Sequence, residues 1–252
     1  MAGAMWTFFH KLGSPPWLYG IAGSILRWLL PLTLLALLVG GVWGLLYTPP
    51  DFKQGNSYRI IFIHVPSAIV ALAGYYVMAI AGAISLIWRM KMADVAMRAA
   101  APIGAALCFL ALFTGSVWGK PTWGTYWVWD ARITSTLILL FLYLGVVALY
   151  EAYDNKEAAS KACAVLTLVG TVNIPIIYKS VDWWYSLHQP ASLTLTGESN
   201  IHPSMLYPLL LMITAFYALF VCCMLLNMRA DLLRLGQRTK WVKDVVTEEA
   251  SR

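Results

Sequence analysis

The stretch RIIFIHVPSAIVALAGYYVMAIAGAISLIW fills residues 59–88 and contains no Lys, Arg, Asp or Glu after Arg59. An α-helix rises about 1.5 Å per residue, so roughly 20 apolar residues cross the hydrocarbon core of a bilayer. The stretch is therefore long enough to form a membrane-spanning helix. Its extra length predicts a helix that tilts or projects into the interface.

Five more apolar segments accompany this one, and together they define six predicted spans. The spans lie at about residues 24–47, 59–88, 99–117, 133–150, 162–178 and 204–226. Only 12% of the residues are charged, against roughly 25% in soluble domains, and the mean hydropathy is +0.68. We predict an all-α integral membrane protein, a six-transmembrane-helix bundle forming one domain over residues 1–252. Outside the spans lie a Trp-rich interfacial segment, residues 118–132, and a tail, residues 227–252.

Basic residues are distributed unevenly between the two ends of these spans. The N-terminal segment, the second and fourth connections and the tail hold 13 of the 18 Lys and Arg residues, and the other three connections hold 5. Positively charged connections stay in the cytoplasm, so we expect both termini there. Whatever the orientation, the number of crossings places His64, the Trp-rich segment and His188 at one face, called the outer face below.

Tryptophan is concentrated at this outer face. Six of the 12 tryptophans lie in its loops, namely Trp118, Trp123, Trp127, Trp129, Trp183 and Trp184. An interfacial belt explains one or two tryptophans per span end. It less readily explains four tryptophans within twelve residues that are followed directly by Asp130. If the second half of the segment is helical, Trp123, Trp127 and Asp130 share one helix face. This pattern favours a flat platform for a large planar ligand, with membrane anchoring as the alternative.

Histidine is the second clue, because the chain has only His10, His64, His188 and His202. Neutral imidazole is the usual axial ligand of haem iron. His64 and His188 are therefore candidate metal ligands, with an ordinary interfacial role as the alternative. His202, at the mouth of the sixth span, is a weaker candidate, and His10 lies on the cytoplasmic side.

The carboxylates of a haem would need cations at the same face. The outer basic side chains are Lys53, Arg59, Lys120, Arg132 and Lys179. A planar guanidinium suits a propionate best, which favours Arg59 and Arg132, although arginines also extend from span ends towards water. The chain has no C-x-x-C-H motif for a thioether-linked haem and no G-x-x-x-x-G-K-[ST] phosphate loop. Energy from ATP would have to come from a partner.

The segment WGKPTWGTYWVWD, residues 118–130, resembles the Trp-rich WWD signature of haem-handling membrane proteins. With the six spans and the histidines of FIHVPSA and WWYSLHQ, the chain resembles the CcmC family of bacterial cytochrome c maturation over nearly its whole length. The resemblance implies a bacterial inner-membrane protein that binds haem b at its periplasmic face, with His64 and His188 as axial ligands.

The same resemblance implies the partners and the direction of transfer. Haem would pass to a CcmE-like periplasmic haem chaperone, and the chain would work with an ABC-type ATPase, a second membrane subunit and a small single-span subunit, which are CcmA-, CcmB- and CcmD-like. It implies a haem-delivery protein with no catalytic residues of its own.

Three other functions remain open at this point. A WWD-type cytochrome c haem lyase would attach haem directly to an apocytochrome, but such proteins are longer and carry additional histidines within their spans. A membrane b-type cytochrome in quinol electron transfer would need histidines in mid-span, and no predicted span has one at its centre. In a scaffold or exporter subunit, the tryptophans would only anchor the protein.

Overall fold

A computed structural model describes residue 11 and residues 13–188 and 201–250 of the chain. Every regular element in these ranges is a helix, and six helical spans are long and apolar enough to cross a membrane. The predicted fold class is therefore confirmed. His10 and the middle of the loop before the last span, residues 189–200, lie outside the described residues.

Eight α-helices build the six spans and the C-terminal region. In chain order they are α1 (Pro15–Val42), α2 (Ile61–Trp88), α3 (Lys91–Trp123), α4 (Ala131–Ala152), α5 (Lys156–Gly170), α6 (Asn173–Trp183), α7 (Pro203–Leu235) and α8 (Lys240–Ala250). A π-helical turn, Trp43–Tyr47, extends α1, and a 3-10 turn, Asn56–Ile60, leads into α2. The fifth span consists of α5 and α6. It breaks at Thr171 because Pro175 has no N–H to bond the Thr171 carbonyl, and its ring crowds that carbonyl.

The helices extend beyond the predicted spans, above all at polar ends. The third span was predicted over residues 99–117, but α3 runs from Lys91 to Trp123, so the first residues of the Trp-rich segment are helical. The predicted tail is also largely helical, as the continuation of α7 and as α8. Hydropathy marks only the lipid-embedded part of a helix. The polar ends persist because they pair with neighbouring helices, as Arg98 does with Asp231 at 2.6 Å.

The centre of the bundle is the long contact between α2 and α3. α4 packs on α3, α5 packs on α2 and α4, and α7 packs on α2, α3 and α1. Gly104 of α3 lies so close to the buried Tyr143 of α4 that a Cβ there would stand 2.1 Å from the tyrosine ring. The Tyr143 hydroxyl donates to the Ala71 carbonyl of α2 at 2.7 Å. These contacts fix the positions of α2, α3 and α4 relative to one another. They thereby also fix the positions of the side chains at the outer ends of these helices.

Candidate functional site

His64 lies in the second turn of α2 and points at α3. Its Nδ1 stands 2.9 Å from the Ala111 carbonyl and 3.2 Å from the Thr114 hydroxyl. Because the Thr114 hydroxyl donates to Leu110 at 2.6 Å, both oxygens beside Nδ1 act as acceptors. We therefore assign the proton of the neutral ring to Nδ1, which leaves the lone pair on Nε2. Metal-ligating histidines are commonly oriented in this way.

Gly115 makes room for this histidine. A Cβ at Gly115 would stand 2.8 Å from the Cε1 atom of His64. The absence of a side chain at this position therefore lets the imidazole lie against α3, within reach of the Ala111 carbonyl.

His188 follows α6 and lies beside His64. The two ring centroids are 6.4 Å apart, and the ring planes are inclined by 33°. Ser186 positions the His188 backbone, because its hydroxyl accepts from the His188 N–H at 3.1 Å and donates to Asp130. Asp130 also caps α4 by accepting from the Ile133 N–H at 2.8 Å. The start of α4 thus holds the segment that carries His188.

Arg132, in the first turn of α4, contacts His188 directly. Its Nη1 lies 3.3 Å from the His188 Nδ1. The same guanidinium donates through Nη2 to the Tyr178 carbonyl at 3.3 Å and through Nε to the Ser180 hydroxyl at 3.4 Å. Arg132 is therefore held between α4, α6 and the histidine.

Two tryptophans of α3 flank the two histidines. Trp118 meets His64 edge to face, with 5.7 Å between the ring centroids, and its indole N–H donates to Gln54 at 2.7 Å. Trp123, the last residue of α3, lies 6.2 Å from the His188 ring. The crossing count placed these residues at one face, and the structure brings them into contact.

The second half of the Trp-rich segment is not helical, so the predicted shared face of Trp123, Trp127 and Asp130 is wrong. Gly124 ends α3 with a φ of 79°, a left-handed conformation that glycine adopts without strain. Residues 124–130 are irregular, and within them Trp127 and Trp129 pack edge to face at 5.4 Å. The buried Trp127 indole N–H has no hydrogen-bond partner among the described residues.

The remaining predicted site residues have contacts with partners other than the two histidines. Trp183 and Trp184 pair with each other at 5.7 Å and are both more than half exposed. Arg59 donates to the Thr48 carbonyl at 2.6 Å, which ties the first outer loop to the start of α2. His202 caps α7, where its Nδ1 accepts from the Ser204 N–H at 3.3 Å.

The residues that shape the site without having been predicted include Gln54, Thr114, Gly115 and Ser186. Each acts through a partner distant in sequence or through a backbone group, so no local motif marks it. Ser186 lies two positions from each of two predicted residues, Trp184 and His188.

The two histidines suit an iron that arrives with its own equatorial ligands. Metal–imidazole bonds are about 2.0–2.1 Å and the ring centre lies about 1.1 Å further, so an iron between two imidazoles separates their centroids by roughly 6.3 Å. The observed separation is 6.4 Å. No group of three His, Cys, Asp or Glu side chains in the described residues could hold a bare metal ion. A porphyrin iron needs only the two axial ligands, so these residues fit a haem.

Comparison with known proteins gives a consistent result. The family model described as CcmC, Heme exporter protein C, matches residues 8–243. Proteins named Heme exporter protein C are similar to this chain: that of Escherichia coli (strain K12) is 48% identical over 242 residues, covering 96% of this chain and 98% of the relative. That of Haemophilus influenzae is 46% identical over 239 residues (95% and 97%), and that of Bradyrhizobium diazoefficiens 50% over 228 residues (90% and 86%). With the whole membrane bundle covered by the match, the chain belongs to the Heme exporter protein C family.

Proposed function

We propose that this protein binds haem b at the periplasmic face of the bacterial inner membrane and hands it to a CcmE-like periplasmic haem chaperone during cytochrome c maturation. Membership of the Heme exporter protein C family supports a role in haem handling and transport. The observation that carries the proposal is the pair of imidazoles 6.4 Å apart at one end of the bundle.

In this proposal each part of the site has a separate task. His64 and His188 bind the iron from its two sides, and Trp118 and Trp123 support the two imidazoles. Arg132 and Arg59 are the proposed partners of the propionates, and the Trp127 indole N–H is a further donor. The other tryptophans, Trp129, Trp183 and Trp184, are exposed and are the proposed contacts of the haem edge.

The position of the site supports transfer rather than electron flow. His64 is the fourth residue of α2 and His188 follows α6, so both lie at span ends, where a soluble protein can approach a bound haem. We propose that the outer face is periplasmic, with both termini cytoplasmic, as the basic connections predict. The ATPase, the second membrane subunit and the single-span subunit would supply energy and assembly, and this chain itself would make no covalent bond to haem.

A transfer assay tests this function. The purified haem-loaded protein is mixed with soluble apo-chaperone, and the haem on each protein is measured after native separation. Denaturing separation of the same mixture then detects only covalently bound haem. The family resemblance implies that the chaperone binds haem covalently through its own histidine. We expect haem to move to the chaperone as such an adduct, and to stay on this protein when that histidine is replaced. Haem that instead passed to an apocytochrome without any chaperone would contradict delivery and favour the lyase function.

Replacing Gly115 with alanine tests the placement of His64. The new Cβ would stand 2.8 Å from Cε1, so the ring must move away from α3 and weaken its bond to Ala111. A hydrogen bond of this kind is worth about 1 kcal/mol, and we expect haem retention to fall roughly fivefold. The measurement is the haem-to-protein ratio after purification.

The matched control is Gly41→Ala, because no atom lies within 4 Å of a Cβ placed at that helical glycine. It should retain the haem content of the wild-type protein. Equal haem content in Gly115→Ala and Gly41→Ala would show that the position of His64 does not depend on Gly115.

A further inference from the structure

The two facing histidines have opposite hydrogen-bonding patterns. His64 Nδ1 lies against the Ala111 carbonyl, which can only accept, so Nδ1 carries the proton. His188 Nδ1 lies against the guanidinium of Arg132, which can only donate and does not lose its charge in proteins. In the neutral His188 ring Nδ1 therefore keeps the lone pair, and the proton is on Nε2.

This difference makes His64 ready to bind a metal and His188 not. His64 presents the lone pair of Nε2. For His188 there are two ways to bind iron, and both break its bond to Arg132. If Nδ1 binds the iron, its lone pair is no longer available to the guanidinium. If Nε2 binds the iron, Nδ1 must carry the proton and cannot accept from Arg132.

The surroundings of Arg132 define what could remove it. Its other two bonds go to neutral acceptors, the Tyr178 carbonyl and the Ser180 hydroxyl, at 3.3 and 3.4 Å. A carboxylate binds a guanidinium more strongly than neutral acceptors do, because the hydrogen bonds are assisted by charge and can be bidentate. A haem brings two such carboxylates to the site.

We propose that Arg132 competes with the haem iron for His188, and that a haem propionate frees His188 by binding the Arg132 guanidinium. This inference rests on the proposed function. Haem then binds first to His64, and His188 joins when a propionate engages Arg132. During delivery the order reverses: when the propionate leaves, Arg132 binds His188 again, and the haem remains on one axial ligand. Arg132 is thus a positioning residue for release as well as for capture.

The haem-free protein gives the first test. Nitrogen NMR of the protein with labelled histidines reports which ring nitrogen carries the proton, and the four histidines are few enough to assign by substitution. We expect Nδ1–H for His64 and Nε2–H for His188 in the wild-type protein. In the Arg132→Met variant, the proton of His188 should no longer favour Nε2, while the proton of His64 should remain on Nδ1. A His188 ring that is mainly Nδ1–H in the wild type, or that is unaffected by Arg132→Met, would overturn the proposal.

The second test separates the effect of the propionates on His188 from the effect of the iron. The wild-type protein is loaded with iron protoporphyrin or with its dimethyl ester, whose carboxylates are blocked, and the coordination state is read from the absorption spectrum. We expect six-coordinate iron with the free acid, and roughly tenfold less of that form with the ester, the factor that a hydrogen bond from a charged donor implies. Arg132→Met should restore six-coordinate iron with the ester, and Lys161→Gln, a charge change at an exposed position of α5, should behave as wild type.

The outcomes distinguish this inference from the proposed function. Six-coordinate iron with the ester in the wild-type protein would overturn the proposal that Arg132 competes with iron for His188. It would leave the proposed haem binding intact. If neither porphyrin bound, the proposed haem function would fail, and the histidine NMR would still decide whether Arg132 controls His188. Should Arg132→Met fail to fold, the comparison of acid with ester in the wild-type protein decides alone.

Discussion

His64→Ala and His188→Ala proteins, purified from haem-containing membranes, will carry almost none of the haem bound by the wild-type protein. Each substitution removes an imidazole whose ring lies 6.4 Å from the other, the separation suited to an iron between them. Loss of a residue that merely supports a metal ligand costs about 10- to 100-fold in affinity, so loss of the ligand itself should cost roughly 100-fold or more. The measurement is haem absorbance relative to protein. Added imidazole should restore part of it by occupying the vacated position.

His202→Ala is the matched control for these variants. It removes the third histidine predicted at the outer face, whose side chain caps α7 through the Ser204 N–H. We expect wild-type haem content with slightly lower stability, about 1 kcal/mol for a lost helix cap. Full six-coordinate spectra from both His64→Ala and His188→Ala would show that the axial assignment is wrong.

The double variant Trp118→Ala, Trp123→Ala should retain haem about 10- to 100-fold less well, while the folded protein still accumulates in membranes. Aromatic pairs contribute about 0.5–1.5 kcal/mol each beyond the burial of their area. Trp118 packs on His64 and Trp123 on His188, so the double variant loses one such contact at each imidazole. Haem retained after dilution is the quantity to measure.

A further pair of variants separates ring contact from general loss of tryptophan. Trp118→Phe keeps a ring against His64 but loses the bond to Gln54, and it should show only a small decrease. Trp28→Ala removes a tryptophan that is 72% exposed on α1, and it should leave haem unchanged. If the double variant bound haem as tightly as Trp28→Ala, the two α3 tryptophans would be interfacial anchors.

The sequence predicted the membrane part of each helix more reliably than its ends. Apolar runs mark the lipid-embedded residues, which is why six spans were predicted. The ends depend on polar partners elsewhere in the chain, such as Ser85 with Asp94 between α2 and α3. The same limitation explains the error in the Trp-rich segment. Periodicity allowed a helix through Asp130, but Gly124 ends it with a left-handed residue, and the chain then turns back so that Ser116 bonds the Tyr126 carbonyl at 2.6 Å.

The sequence by itself determined that His64, the Trp-rich segment and His188 share one end of the bundle. This follows from the number of crossings, a property that hydropathy records residue by residue along the chain. Only the tertiary structure decided which group faces the Nδ1 atom of each histidine, a carbonyl for His64 and a guanidinium for His188. That depends on ångström-scale contacts between residues far apart in sequence, 47 positions for His64 with Ala111 and 56 for Arg132 with His188. Helix packing sets such distances. The absence of a Cβ at Gly115 permits the contact between His64 and α3, and an added Cβ would prevent it.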